Sequence, residues 1–182
     1  MRRVVITGVG AVTPIGNTVK EMWAGVREGK CGIDKITKYD ISNRKVKVAA
    51  EVKNLPVEEL VDKHDLRKMD LFCTFAMIAA DEAIADSGLS FEGEEDKCGV
   101  IVSSGIGGIS TIEKEYSKGL EKGFDRVSPY FIPSVITNMA AGRIAIKHNL
   151  QGMCSCVVTA CAGGTNAVGD SFRQIRDGYA DV

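Results

Sequence analysis

The chain has 182 residues, 45% of them hydrophobic and 26% charged, with a formal net charge of −1. That length fits one globular domain. The near-neutral balance removes the general electrostatic case for nucleic acid, and no apolar stretch approaches the ~20 residues of a membrane-spanning helix.

Met1-Arg2-Arg3 runs straight into a strand pattern, Val4 to Thr7, instead of the apolar core of a signal peptide. Six cysteines, at 31, 73, 98, 154, 156 and 161, are scattered through strand and helix patterns and read as free thiols, so a soluble cytoplasmic protein is expected. Gly8-Val9-Gly10 then imitates a dinucleotide fingerprint, but Thr13 stands at the third glycine position and Pro14 follows at once. Thr18 and Glu21 form a capping-box pattern that opens a helix carrying Met22, Trp23 and Val26.

Val46 to Val52 alternates as a half-exposed strand should, and Val57 to Lys63 follows Pro56 as a short helix. A long helix is predicted from about Leu66 to Ser87, apolar on two faces and stopped by Gly88 in the manner of a glycine C-cap. At its start Arg67 and Lys68 stand side by side, with Lys63 and His64 just before them; on charge pattern alone they read as a solvated face.

Cys98 to Ser104 is a buried-type strand broken by Gly105-Ile106-Gly107-Gly108, which lacks the Lys-Ser/Thr of a P-loop. The apolar Ile106 suits the wall of an alkyl pocket. Ile112, Tyr116 and Leu120 give the next helix an apolar stripe, and a proline-fixed loop, Ser128 to Pro133, leads to a helix with Val135, Met139, Ala140 and Ile144. His148 ends that helix, where a cation at a C-terminus has a sufficient structural role. Cys154 and Cys156 share one strand face, but no second Cys or His pair at ligand spacing accompanies them; no metal and no cofactor are expected.

The segment from Cys154 to Ala167 organises the rest. Val157, Val158 and Thr159 favour a buried strand, Gly163 and Gly164 permit close backbone approach, and Ala162, Thr165, Ala167, Val168, Phe172 and Ile175 continue at helical spacing. Cys161 therefore sits at a strand-to-helix hinge. Unpaired first-turn amides there stabilise a thiolate and bind an oxyanion. A buried structural cysteine is the other reading of such a position.

Thr159-Ala160-Cys161-Ala162-Gly163-Gly164, with RRVVITGVGAVTPIGN, LRKMDLFCTFAMIAADEAIADSGL, VIVSSGIGGIS and SPYFIPSVITNMAAGRIAI in the same order, resembles the β-ketoacyl-acyl carrier protein synthases, most closely their type II condensing enzymes. The resemblance spans essentially the whole chain. It implies an α/β, thiolase-like fold of layered α-β-α-β-α type, of which residues 1–182 are the N-terminal portion, truncated before its last strands. It implies that Cys161 accepts an acyl group from acyl carrier protein, that Ile106, Phe131 and Thr137 line the acyl pocket, that Lys63, Arg67 and Lys68 contact the acidic carrier, and that the enzyme is a homodimer.

In that family the chain continues for more than as much again, and the continuation carries two histidines and a lysine needed for decarboxylation and condensation. Neither His64 nor His148 matches them, so this chain alone is expected to be unable to complete the reaction. A polyketide-type ketosynthase, or a non-catalytic dimerisation or carrier-binding fragment, are the other readings.

Overall fold

The computed structural model describes residues 2–182. Its first helix, α1 (Val19–Arg27), opens as expected: Thr18 Oγ1 accepts from the Glu21 amide at 3.2 Å, and Glu21 reaches back to the Asn17 amide at 2.8 Å. Strands β1 (Ile33–Lys35) and β2 (Val48–Ala50) pair antiparallel, with Asp34 opposite Ala49. β2 is the core of the alternating stretch at 46–52; β1 left no recognisable pattern in the sequence. Just past β2, buried Glu51 accepts from the Thr37 hydroxyl at 2.8 Å and from the Thr37 and Lys38 amides, and the hydroxyl bond above all holds its carboxyl below the usual range.

The expected strand at Val4 to Thr7 does not form. The residues that follow it lie against helix α4 (Leu71–Ser87), where the Val9 and Ala11 amides donate to Asp86 and Glu82 at 3.0 and 2.9 Å. Carboxylates thus replace a strand partner for these donors. The two glycines permit that approach, since a Cβ at Gly10 would overlap the Ala79 carbonyl oxygen and one at Gly8 the Ala83 carbonyl oxygen.

The long helix predicted from Leu66 is also corrected. The chain forms α2 (Val57–Leu60), an extended Val61, then α3 (Lys63–Leu66), a turn, and only then α4. Asp62 caps α3 by accepting from the His64 amide at 2.7 Å. Asp70 caps α4 and also accepts from the Thr111 amide and hydroxyl at 2.9 and 2.7 Å, so the turn is bolted to the following helix. Gly88, at φ +64°, ends α4 in the left-handed conformation.

The core forms where α4 packs on α7 (Met139–His148): Cys73, Met77 and Ile78 meet Ala140 and Ile144, with Val61 and Met69 beside them. Full burial of a side chain such as Ile144 contributes about 1.5–3 kcal/mol. The predicted helix around Val135 and Ile144 is two pieces, α6 (Phe131–Val135) and α7, separated by an extended Ile136.

Strands β3 (Val100–Ser103) and β4 (Cys154–Val157) pair in parallel, Val100 with Cys154 through Ser103 with Val157. β4 ends before Val158 and Thr159, which were expected within it: Ser103 is the last residue of its partner. On the other side of β3, the Gly99 amide donates to the Val182 carbonyl at 2.9 Å. Helices α5 (Ile109–Lys122) and α8 (Gly163–Arg176) complete the chain. The apolar stripe of α5 faces outward, Leu120 being 63% exposed while the helix buries Glu115 and Gly119; α8 is mixed, with Val168 67% exposed and Ala167 buried. Among the described residues no helix is long and apolar enough to cross a membrane.

Candidate functional site

Because β3 and β4 run parallel, the segments that follow them leave from the same edge of the sheet. After β3 comes the glycine loop with Ile106. After β4 comes Cys161.

Beyond Val157 the backbone turns sharply. Ala160 takes a left-handed φ of +48°, which a residue with a Cβ rarely adopts, and Ala160–Ala162 form one tight helical turn before α8 begins at Gly163. Cys161 is exposed on that turn. Gly163 is buried against the end of β3: a Cβ there would overlap Ser103 Oγ and lie 2.8 Å from Ser103 Cβ. Among the described residues no side chain caps α8, so its first-turn amides are left to other acceptors. Two of the other thiols differ sharply. Cys73 and Cys98 are buried, and burial pushes the Cys73 thiol up to about 12 and the Cys98 thiol upward as well.

The glycine loop is fixed to the α6–α7 turn. The Gly108 amide donates to the Val135 carbonyl at 3.0 Å, and Gly107, at φ +81°, sits so close that a Cβ would overlap that same carbonyl oxygen and lie 3.3 Å from the Thr137 amide. Ile106, 61% exposed, and half-buried Thr137 are thereby held on one edge. Phe131 lies apart from them, half-buried in a recess of about 370 Å³ between the α3–α4 turn and α5, where Leu66, Arg67 and Met69 are its neighbours.

The three candidate docking cations have different surroundings. Lys63 is exposed and 3.5 Å from Glu58. Lys68 lays its Nζ 5.1 Å from the centre of the Tyr130 ring and 3.3 Å from His64 Nδ1. Arg67 is exposed and, among the described residues, in no ion pair. The backbone beneath them is held: the Lys68 carbonyl accepts from Ser134 Oγ at 3.0 Å and from Arg143 at 3.2 Å, and Arg143 also reaches Asp65 at 3.4 Å. His148 bonds Asp81 at 2.8 Å at the end of α7, in keeping with a structural role.

A family model described as the N-terminal domain of β-ketoacyl synthase matches residues 1–182. The chain belongs to the β-ketoacyl synthase family. It is 44% identical over 180 residues to the 3-oxoacyl-(acyl-carrier-protein) synthase 2 of Synechocystis sp., covering 98% of this chain and 43% of that relative. It is also 44% identical over 182 residues to the protein of the same name from Staphylococcus aureus strain COL, covering 100% of this chain and 44% of that one. The chain thus spans less than half the length of these curated relatives. Among solved structures it is similar to the ishigamide ketosynthase/chain length factor, with a TM-score of 0.86, 28% identity, and coverage of 98% of this chain and 45% of that one. The arrangement of α/β elements is therefore that of the N-terminal part of the thiolase-like ketosynthase fold.

Within this β-ketoacyl synthase domain, sequence reasoning missed Ser103, Ser134 and Arg143. All three act on the site through contacts more than 50 residues away along the chain. Asp70 left a signal, an Asp directly before an apolar helix, but the apolar periodicity running through Leu66, Met69 and Phe72 masked it.

Proposed function

We propose that the chain is the N-terminal part of a 3-oxoacyl-acyl carrier protein synthase of fatty acid biosynthesis, acting as a homodimer in the cytoplasm, with Cys161 as its acyl acceptor. The observation that carries this reading is the exposed Cys161 on a strained turn between the half-buried strand β4 and the uncapped start of α8. The Cys161 sulfur attacks the carrier thioester carbonyl. First-turn amides of α8 stabilise the oxyanion, and the tetrahedral intermediate collapses with expulsion of the carrier thiolate, which takes up a proton. In the second half-reaction a malonyl carrier thioester loses carbon dioxide. The resulting enolate attacks the Cys161 thioester and frees the sulfur, leaving a β-ketoacyl thioester two carbons longer; the groups assisting that step lie outside these residues. The test is intact mass of the full-length protein carrying this chain after incubation with an acyl carrier thioester: one acyl group mapping to Cys161 is expected, and an unmodified Cys161 would overturn the assignment.

Ile106 and Thr137 are proposed to line the acyl pocket, whereas Phe131, in the separate recess beside Arg67, is not assigned to it. Ile106→Phe should reduce loading of the longest acyl donors about tenfold relative to short ones, the scale on which a hydrophobic pocket discriminates by size. Equal loading across chain lengths, with the protein folded, removes Ile106 from the pocket. The likeness to the ishigamide ketosynthase/chain length factor favours a second reading, a polyketide-type ketosynthase; the same donor series separates the two.

Arg67, Lys68 and Lys63 are proposed to dock the acidic carrier. Arg67→Glu/Lys68→Glu should weaken carrier binding by about tenfold or more and flatten its salt dependence. An unchanged affinity and salt slope would remove these cations from the docking surface.

A further inference from the structure

The recess beside Arg67 carries a second cation that the docking surface described above does not include. Lys114 stands on α5, across the recess from the α3–α4 turn, and is exposed. The Glu115 carboxylate, which also lines the recess, attracts it without forming an ion pair. Neighbouring Glu115 is buried and occupied: Lys118 Nζ lies 3.4 and 3.1 Å from its two oxygens, and the Ser128 amide donates to it at 2.7 Å. Those bonds, the Ser128 amide first, hold the Glu115 carboxyl below its usual range, and the charges of Lys118 and, more weakly, Lys114 add to them. Among the described residues neither Lys114 nor Arg67 enters an ion pair. Arg67 and Lys114 outnumber the one carboxylate that lines the recess, Glu115, which Lys118 already pairs, so the recess keeps a positive surplus that an entering anion would neutralise. The floor is apolar, with Leu66, Met69 and Phe131. The walls are not free to spread. Asp70 ties the α3–α4 turn to Thr111 on α5, and Ser134 and Arg143 fix the Lys68 carbonyl.

We propose that Lys114 and Arg67 form a two-sided clamp for one acidic side chain of the carrier protein, whose carboxylate lies between the cations while its aliphatic stem covers the apolar floor. This rests on the docking assignment of Arg67 and Lys68 made above. It adds a contact from α5, an element that assignment does not use.

The test compares binding of the holo acyl carrier protein to full-length protein bearing Lys114→Glu, Lys122→Glu, Arg67→Glu or Lys114→Glu/Arg67→Glu. Lys122 lies at the far end of α5, outside the recess, and controls for net charge. Lys114→Glu is expected to weaken binding about fivefold and Lys122→Glu less than twofold, with the double variant losing less than the product of the single losses because both cations hold the same carboxylate. Reversing the carrier's acidic residues one at a time should yield one carrier that restores affinity to Lys114→Glu. Equal effects of Lys114→Glu and Lys122→Glu, or strictly multiplicative losses, would overturn the clamp while leaving the docking assignment standing. Should Arg67→Glu/Lys68→Glu bind as wild type does, the docking assignment itself falls and the clamp with it.

Discussion

Cys161→Ser is expected to lower acyl loading from a carrier thioester by at least about 10³-fold, since removal of a nucleophile costs this much or more where it forms the covalent intermediate. The substitution exchanges one atom on an exposed turn, so the elbow, Ala160 at φ +48° and the Gly163 contact with Ser103 remain as they are. The loss therefore reports chemistry and not folding. A hydroxyl is intrinsically a far weaker nucleophile than a thiol at neutral pH, so a serine at this position does not replace the sulfur. The same property is readable without substrate. Iodoacetamide should alkylate Cys161 about tenfold faster than Cys31, which is equally exposed but precedes no helix, and far faster than buried Cys73 and Cys98. Loading of Cys161→Ser at the wild-type rate, or acyl groups found on Cys31 or Cys154, would dismiss Cys161 as the acceptor.

The local features of this domain were legible because their causes are local. Thr18 caps α1 through Glu21, three residues on, and Gly88 ends α4 by its own positive φ. The hinge at Cys161 was legible for a similar reason: β-branched residues give way to small ones within five positions. The misreadings share the opposite cause. Val4, Val5, Ile6 and Thr7 have strand propensity, but the donors that follow them are taken by carboxylates more than 70 residues away. Apolar spacing carries a helix through Leu66, Met69 and Phe72, yet Asp70 finds Thr111 across the fold and the helix restarts. Ile112, Tyr116 and Leu120 mark an apolar stripe without stating what it faces, and here it faces outward. For the site, Cys161 and Ile106 could be named from type and spacing. That they emerge at one edge depends on the register of β3 against β4, which no single segment encodes.

Gly163→Ala sets local preference directly against such a long-range contact. Gly163 has helical dihedrals, φ −57° and ψ −46°, so nothing in its backbone requires glycine, and helix propensity alone favours alanine by about 1 kcal/mol. The contact argues the other way. The new Cβ would overlap Ser103 Oγ and stand 2.8 Å from Ser103 Cβ, an atom fixed to β3 that cannot rotate aside. Overpacking of this kind costs about 1–3 kcal/mol, so a net destabilisation of about 1–2 kcal/mol is expected, read as a lower urea midpoint at unchanged slope. The elbow must also shift to relieve the overlap, and the alkylation rate of Cys161 should fall with it while that of Cys31 holds. Ser103→Ala on the Gly163→Ala background removes the hydroxyl but not the Cβ, and should restore stability only in part; Ser103→Gly removes both atoms and should relieve the overlap fully, at the cost of glycine in a strand. A urea midpoint that rises in Gly163→Ala would show that propensity outweighs the contact and that Ser103 does not hold the turn under Cys161.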